Sequence, residues 1–197
     1  MSRIIAGSAR GRTLKVPQKG TRPTSDKVRE ALFSRLDHLG ALREARVLDL
    51  YAGSGALALE ALSRGAQSAT LVEYARPAAG ICQENISSLG FTSRAQVINQ
   101  KVERFVTAPG PGKWDLVFCD PPYDLSKTAL DKALQDLATA EVLTPGAVIV
   151  VERAKRASAV SWPQGWEEFD VRHYGDTSVY LGEVNMPSPA PASGQTV

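Results

Sequence analysis

Residues 46–55 read RVLDLYAGSG, an apolar run that passes directly into a glycine-bearing turn. The run RVLDL predicts a buried β-strand, and the following GALALEALSRG (55–65) predicts a helix that ends at Gly65. Glycine lets the backbone approach a ligand closely, and the first N–H groups of a helix can bind polar groups of that ligand. The stretch therefore predicts a strand–loop–helix unit with a ligand beside its loop.

The same alternation continues toward the C-terminus. Apolar runs predict strands over 68–74, 95–99, 114–120 and 147–153, with helices over 76–89, 101–107 and 126–139 between them. Two late β-prone runs, 167–174 and 177–183, are joined by Gly175-Asp176, which indicates an antiparallel hairpin. Strands alternating with helices predict an α/β fold with a doubly wound, mainly parallel sheet, which the closing hairpin makes mixed.

The segment before this unit has a different composition. Residues 3–6 and 13–16 flank the turn-rich GSARGR and predict a small β-hairpin with arginines at its tip, followed by a helix over 26–39. We therefore expect three parts: a basic β-hairpin extension (1–20), a catalytic domain (21–184) and a disordered, uncharged, proline-bearing tail (185–197).

Positive charge is concentrated in this first segment. Residues 1–35 contain nine basic and two acidic residues, whereas the other 162 contain 14 basic and 19 acidic residues. A basic arm on a mildly acidic body indicates a polyanionic partner such as nucleic acid, although a solvated basic face would look the same. The predicted RNA contacts are Arg3, Arg10, Arg12, Lys15, Arg22 and Arg29.

Composition excludes several other classes. The 197 residues suit one domain, and no apolar run is long enough to span a bilayer or to serve as a signal peptide, so we expect a cytoplasmic protein. The two cysteines, Cys82 and Cys119, lack metal-ligand spacing, and there are only two histidines. We therefore expect no metal site and interpret both cysteines as packing residues.

The glycine loop suggests a nucleoside cofactor. Residues 53–58 also fit the relaxed dinucleotide fingerprint GxGxxA, which makes a nicotinamide cofactor a rival. Glu73 ends the second strand, where an acidic side chain would accept hydrogen bonds from ribose hydroxyls. Asp49 would repel a pyrophosphate but would suit the cationic ammonium of S-adenosylmethionine. We therefore predict S-adenosylmethionine as the cofactor.

The fourth strand ends in Asp120-Pro121-Pro122-Tyr123, the predicted catalytic residues. Ligands of open α/β sheets gather at the carboxyl ends of strands near the point where strand order reverses. Asp120 and the Pro121 carbonyl could accept the two N–H groups of an exocyclic base amine and so direct its lone pair toward a methyl donor. Tyr123 offers an aromatic face for an unstacked base.

Together these motifs resemble a known family. Asp-Pro-Pro-Tyr and the 49–55 loop are similar to the amino-methyltransferase pattern, and RIIAGSARGRTLKVP…TRPTSDKVREALFSRL resembles the N-terminus of the bacterial RsmD family. The resemblance covers about residues 3–183. It implies a seven-stranded Rossmann-like sheet with a β-hairpin extension. It also implies methylation of the 2-amino group of one guanine in small-subunit ribosomal RNA, on a partly assembled subunit, by what we expect to be a monomer.

The resemblance also assigns residues. It implies a signature of Thr24, Asp26 and Arg29 near the cofactor and target. Many relatives have an acidic residue facing the adenine amine, but here the stretch is Asn99-Gln100-Lys101-Val102-Glu103, so Gln100 or the Val102 backbone would serve instead. The predicted cofactor-binding set is Asp49, Tyr51, Gly53, Gly55, Glu73, Tyr74, Gln100, Val102 and Asp120.

Other functions remain open on the sequence alone. One is an amine methyltransferase acting on adenine in DNA or RNA, or on glutamine in a protein. A second is a nicotinamide-dependent oxidoreductase, which Asp49 and the lack of a hydride-transfer acid disfavour. A third is a noncatalytic RNA-binding module, which would require loss of a site whose motifs are complete.

Overall fold

The computed structural model describes residues 2–17 and 26–185. Its strands, in chain order, are β1 (Ser2–Arg3), β2 (Thr13–Leu14), β3 (Arg46–Leu50), β4 (Ser68–Val72), β5 (Ala95–Ile98), β6 (Trp114–Cys119), β7 (Leu143–Ala154), β8 (Trp166–Tyr174) and β9 (Thr177–Val184). Its helices are α1 (Asp26–His38), α2 (Ala56–Ser63), α3 (Arg76–Leu89), α4 (Val102–Phe105) and α5 (Lys127–Thr139).

Strands β3–β9 form one mixed sheet in the order β5-β4-β3-β6-β7-β9-β8. The first five strands in this order are parallel, and β9 is antiparallel to both β7 and β8. Gly175, at φ 56°, makes the tight turn between β8 and β9. The predicted seven-stranded α/β fold with a closing antiparallel hairpin is confirmed, and the small β1–β2 hairpin lies beside it.

Strand order reverses between β3 and β6, the two central strands. In the parallel register Asp49 lies opposite Phe118, and Leu50 lies opposite Cys119. The chain leaves β3 toward β4 and β5, but leaves β6 toward β7. The carboxyl ends of β3 and β6 therefore border a crevice of the kind that binds ligands in this class of sheet.

Each face of the sheet has its own apolar core. On one face α1, α2 and α3 pack against alternate strand residues, with the Phe33 and Phe118 rings 5.6 Å apart. On the other face α4 and α5 cover the intervening residues, among them Cys119 and Val151. This alternation is the reason that the strand sequences are apolar almost throughout.

The N-terminal hairpin is part of the first core. Ile4 and Leu14 are 1% and 2% exposed. The backbone N–H groups of Ile5 and Ala6 donate to the fully buried carboxylate of Glu60 at 2.7 and 3.0 Å. The backbone of the hairpin thus satisfies a buried charge of α2, and the division into a basic extension (1–20) and a catalytic domain stays a prediction.

Most element boundaries lie within a few residues of those predicted. The helix expected over 101–107 stops at Phe105, where the chain enters Ala-Pro-Gly-Pro-Gly (108–112), and β7 begins at Leu143 rather than at 147. The strands of the hairpin are only two residues long each. The predicted disordered tail lies outside the described residues apart from Asn185, as do Arg22 and Thr24. Within the described ranges, no helix is long and apolar enough to cross a membrane.

Candidate active site

A cavity of about 920 Å³ opens at the carboxyl ends of β3, β4 and β6. It contains the end of β3 with its loop, the acidic end of β4, the start of α4 and the whole Asp-Pro-Pro-Tyr motif. The cavity thus brings together the two motifs that the sequence singled out, which lie about seventy residues apart along the chain. Among residues 2–17 and 26–185 no cluster of side chains is suited to hold a metal ion.

Asp49 lies at the base of this cavity and is only 2% exposed. Its Oδ2 accepts a hydrogen bond from the Ala58 N–H, 3.1 Å away, in the first turn of α2. The pKa of Asp49 is raised to about 7, chiefly by burial; the hydrogen bond from Ala58 opposes this rise, and the nearby Glu73 carboxylate adds to it. A buried carboxyl with a raised pKa gains stability when a cation binds beside it. This observation supports a cationic ligand such as the ammonium of S-adenosylmethionine.

The loop after β3 is held by Glu73. Tyr51 adopts a left-handed conformation at φ 64°, so the chain turns sharply as β3 ends. One Glu73 oxygen accepts the Gly53 N–H at 2.9 Å and the other accepts the Ala75 N–H at 2.7 Å. Both oxygens keep a lone pair for further donors such as ribose hydroxyls. Glu73 therefore fixes the loop and faces the cavity at the same time.

Gly55 has a packing role in the structure, and its cofactor contact stays a prediction. It does not line the cavity, and it lies at φ 79° immediately before α2. An added Cβ would come within 2.7 Å of Leu71 Cδ2. Gly55 therefore serves the turn and the packing of α2 against β4, whereas Gly53 borders the cavity.

The catalytic motif follows β6 on the opposite side of the crevice. Asp120 is half-buried, Pro121 is buried and Tyr123 is 57% exposed at the mouth of the cavity. Burial raises the pKa of Asp120 well above its usual range, and the carboxyls of Glu152 and Asp49 add to the rise. The Leu125 N–H donates to the Pro122 carbonyl at 2.9 Å and closes a turn after the motif. The site thus presents a half-buried acidic group and an accessible aromatic ring in one cavity.

Cys119 adjoins this motif but points into the core below α5. Burial raises the pKa of the Cys119 thiol, and the neighbouring Asp120 and Asp49 carboxyls raise it further. Cys82 is also fully buried, and both thiols are free. The interpretation of both cysteines as packing residues agrees with this burial, because a protonated buried thiol is a poor nucleophile.

Comparison with known proteins identifies the family. Residues 2–183 match the protein family described as "Conserved hypothetical protein 95". The ribosomal RNA small subunit methyltransferase D of Haemophilus influenzae is 38% identical over 167 residues, which cover 83% of this chain and 84% of that protein. Its namesake in Escherichia coli is also 38% identical, over 165 residues that cover 83% and 80%. The solved structure of the yhhF protein from Escherichia coli matches with a TM-score of 0.83 at 35% identity, covering 93% of this chain and 98% of that one.

The chain belongs to the RsmD family. Membership confirms the methyltransferase class and S-adenosylmethionine as the cofactor, both predicted from the sequence. It also accounts for the pairing of Asp49 with Asp-Pro-Pro-Tyr in one cavity. The nicotinamide alternative is set aside, since the relatives are methyltransferases.

In this RsmD-family chain the predicted adenine contacts divide between two cavities. Tyr74, Val102 and Glu103 line the large cavity, and the Tyr51 hydroxyl lies 3.4 Å from a Glu103 carboxylate oxygen. Gln100 lines a smaller neighbouring cavity instead. An acidic side chain is thus present on the cavity wall after all, at Glu103, three residues beyond Gln100. The contact of the adenine with Gln100 or the Val102 backbone stays a prediction.

The Arg29 side chain of the RsmD signature is buried rather than displayed to RNA. It is 1% exposed, and its guanidinium donates to Ser2 Oγ at 3.1 Å, to the Arg3 carbonyl at 2.5 Å and to Asp26 Oδ1 at 2.9 Å. Burial lowers its pKa, an effect that Glu60 and Asp26 oppose. This burial disfavours the phosphate contact expected of Arg29, because the side chain joins α1 to the hairpin at the cavity wall.

The predicted RNA contacts of the hairpin are partly engaged within the protein. Arg12 donates to the Ser88 carbonyl at 2.5 Å, and Lys15 pairs with Glu84 at 2.7 Å. Arg3 lies 3.7 Å from Asp26 and remains largely exposed, and Arg10 is exposed at the tip. These four residues are exposed and stay candidates for RNA binding.

Sequence reasoning missed the contribution of the hairpin to the cavity wall. Ser2, Val16 and Pro17 line the cavity beside Arg29 and Asp49. The Asn85 side chain fixes this edge, because it accepts the Lys15 N–H and donates to the carbonyls of Lys15 and Ser54, all at 2.9 Å. No local pattern predicts these contacts, since they join segments about thirty to seventy residues apart.

Proposed function

We propose that the protein methylates the exocyclic 2-amino group of one guanine in small-subunit ribosomal RNA, in a subunit that is still assembling. The observation that carries this proposal is the single cavity that joins Asp49 and Glu73 on one wall to Asp120 and Tyr123 on the other. The named activity of the relatives supports ribosomal RNA as the substrate.

The residues divide the work between binding and orientation. Asp49 would hold the ammonium and Glu73 the ribose hydroxyls of S-adenosylmethionine, which supplies an electrophilic methyl group when bound. Asp120 would accept one N–H of the guanine amine and so direct the nitrogen lone pair toward the methyl group. As the nitrogen–carbon bond forms, the sulfur–methyl bond of the sulfonium would break and S-adenosylhomocysteine would leave. The nitrogen would then carry the positive charge, and the Asp120 carboxylate would stabilise that charge until the extra proton passes to solvent.

The exposed Tyr123 would hold the target base outside its stack. A base inside folded RNA must be unstacked to reach Asp120, at a cost of a few kcal/mol. Stacking on an aromatic ring returns about 1–3 kcal/mol, and the 57% exposed Tyr123 is placed to provide it. An adenine substrate would present a 6-amino group to the same residues and is the alternative to be tested.

The decisive experiment is the analysis of modified nucleosides in ribosomal RNA by mass spectrometry. We expect cells that lack the protein to lose one N2-methylguanosine from the small subunit, and the purified protein to restore it on their isolated subunits. Loss of a methyladenosine would replace the guanine assignment. No change in any nucleoside, together with RNA binding, would favour the noncatalytic module.

The cellular setting is proposed on the same grounds. Ribosome assembly takes place in the cytoplasm of bacteria, so an enzyme with this substrate would work there. We further propose a monomer. Sedimentation of the purified protein at 21.1 kDa would support that proposal, and a stable dimer would contradict it.

Replacement of Glu73 is expected to weaken cofactor binding strongly. Glu73→Ala removes the acceptor of the Gly53 and Ala75 N–H groups as well as the proposed ribose contact. Hydrogen bonds to a charged group contribute about 1.5–3 kcal/mol, so we expect the Kd for S-adenosylmethionine to rise about 10–150-fold. Calorimetry would measure this rise, with Glu167→Ala on the exposed surface of β8 as the control. Unchanged affinity, or tight binding of NAD, would contradict the cofactor assignment.

Cofactor affinity is expected to depend on pH through Asp49. Because its pKa is about 7, Asp49 is mostly protonated at lower pH, and binding of a cation must then expel the proton. We expect the Kd for S-adenosylmethionine to rise as pH falls below 7, approaching about tenfold per pH unit, with proton release on binding. Calorimetry in buffers of different ionisation enthalpy would detect the released proton. Asp49→Asn should bind more weakly with a flat pH profile, and a pH dependence that survives in this variant would exclude Asp49 as its source.

A further inference from the structure

The structure places a basic ledge beside the large cavity, at the carboxyl ends of β4 and β5. We define the ledge as Tyr74, Arg76, Lys101 and Arg104, which line a second cavity of about 570 Å³. Tyr74 and Lys101 also line the large cavity, so the two cavities share a wall. The ledge lies at the opposite end of the crevice from Tyr123.

Tyr74, the aromatic residue of the ledge, is contacted by Asn99 at its backbone and by Lys101 at its ring. The Asn99 side chain donates to the carbonyls of Glu73 and Tyr74 at 2.8 and 2.9 Å, which fixes the connection after β4. The Lys101 ammonium lies 5.0 Å from the centre of the Tyr74 ring, within the range of a cation–π contact. Tyr74 is nevertheless 63% exposed, so this aromatic–cationic pair faces solvent.

The ledge cations differ from Arg3 and Lys15 of the hairpin, which pair with acidic side chains. Arg76, Lys101 and Arg104 are exposed, and none of the described residues that line the second cavity is acidic. Within the described residues, none of the three forms an ion pair. In the hairpin, by contrast, Lys15 is paired with Glu84 and Arg12 with a backbone carbonyl. The three ledge cations therefore form the stronger candidate for contacts with an anionic chain.

We propose that this ledge binds phosphates of the RNA strand that flanks the target nucleotide. The proposal rests on the proposed function, because it takes RNA as the partner. A base held at Tyr123 leaves its neighbours outside the cavity, and a backbone crossing the mouth toward Tyr74 would meet the cations of the ledge. Phosphate contacts of this kind position a nucleic acid without reading its sequence.

The matched test removes two charges at the ledge and two elsewhere. The variant Arg76→Gln/Arg104→Gln leaves the Tyr74–Lys101 pair intact. The control Arg43→Gln/Lys113→Gln removes two exposed charges that lie just before β3 and β6, at the amino ends of these strands, whereas the ledge lies at carboxyl ends. Binding of a fluorescent small-subunit RNA fragment and of isolated subunits is measured against salt concentration, with S-adenosylmethionine affinity measured by calorimetry.

The ledge variant is expected to bind RNA more weakly and with a flatter salt dependence. Each phosphate that is no longer neutralised should lower the slope by about 0.7–0.9, so the slope of the double variant should fall by about 1.4–1.8. Cofactor affinity should stay within a few fold of wild type, and the control should keep both its slope and its affinity. Equal slopes in the two double variants would overturn the proposal, as would loss of cofactor affinity in the ledge variant, which would assign the ledge to cofactor binding.

The outcome also separates the ledge from the proposed function. Suppose that wild-type protein methylates no guanine in subunits, but the ledge variant still shows a flatter salt dependence of RNA binding. The proposed function is then contradicted, and phosphate binding by the ledge is supported. If wild-type protein methylates subunits normally and the ledge variant matches the control, the ledge fails and the function stands. If wild-type protein binds no RNA, both are overturned.

Discussion

The variant Asp120→Ala is expected to lose nearly all methyl transfer while retaining the cofactor. Asp120 lies at the end of β6 in the shared cavity, and the carboxyl is half-buried beside two further acidic groups. Removing a preorganised group that stabilises developing charge costs about 10²–10³-fold in rate. We expect a loss of at least that size in kcat, because the same side chain is also proposed to orient the amine.

Two comparisons make this result specific. Asp120→Asn keeps an acceptor oxygen without the charge, so we expect activity between those of wild type and Asp120→Ala. Asp136→Ala removes an acidic side chain from an ion pair with Lys132 on α5 and should leave activity within a few fold. Single-turnover transfer to subunits and calorimetry with S-adenosylmethionine would measure rate and affinity separately.

The opposite pattern would reassign the residue. If Asp120→Ala kept a tenth or more of the wild-type rate, Asp120 would not be the group that orients the amine. If it bound the cofactor a hundredfold more weakly, the carboxyl would belong to cofactor binding.

Local sequence patterns were sufficient to predict the sheet and its helices. Buried strands such as 46–50 are apolar on both faces, and helix α3 begins at Arg76 and ends before Gly90 as predicted, with Gly90 in the left-handed conformation. These features depend on neighbours in the sequence. The positions of Asp49 and Asp120 at one crevice followed from the topology that such alternation imposes.

Charged residues were harder to place because composition does not show which groups face each other. Arg29 looked like an RNA contact by charge, yet it is buried with Ser2, Arg3 and Asp26 around it. No sequence pattern predicted a structural role for Glu60. Its carboxylate nevertheless accepts two backbone N–H groups more than fifty residues away and pairs with Arg64. Such pairings depend on tertiary contacts, which periodicity does not encode.

Because the N-terminal hairpin packs on α2, we expect Gly7→Ala to cause a large loss of stability. Gly7 has φ +83°, and a Cβ added there would lie 1.8 Å from the Ser63 carbonyl oxygen, at the end of α2. That oxygen already accepts the Ser8 N–H at 2.8 Å, and Ser63 Oγ binds the Ala9 N–H at 2.9 Å. Gly7→Ala therefore cannot be accommodated unless the hairpin moves away from α2.

Gly11 provides the matched control within the same hairpin. It has φ +80°, but an added Cβ there meets no atom within 4 Å. Gly11→Ala should cost only the left-handed conformation, about 1–2 kcal/mol. Gly7→Ala should cost that amount plus the clash, about 3–5 kcal/mol in total or as much as the docking of the hairpin contributes. Urea unfolding of the two variants would measure the difference.

The affinity for S-adenosylmethionine tests whether the hairpin helps to form the cofactor site. Its residues Ser2, Val16 and Pro17 form part of the cavity wall, and Ser2 and the Arg3 carbonyl hold Arg29 in place. We therefore expect Gly7→Ala to weaken S-adenosylmethionine binding at a temperature where the sheet remains folded, whereas Gly11→Ala should bind normally. Equal stability and equal affinity in the two variants would show that the hairpin is a separable basic arm, because only an arm that does not pack on α2 could tolerate a methyl group at Gly7.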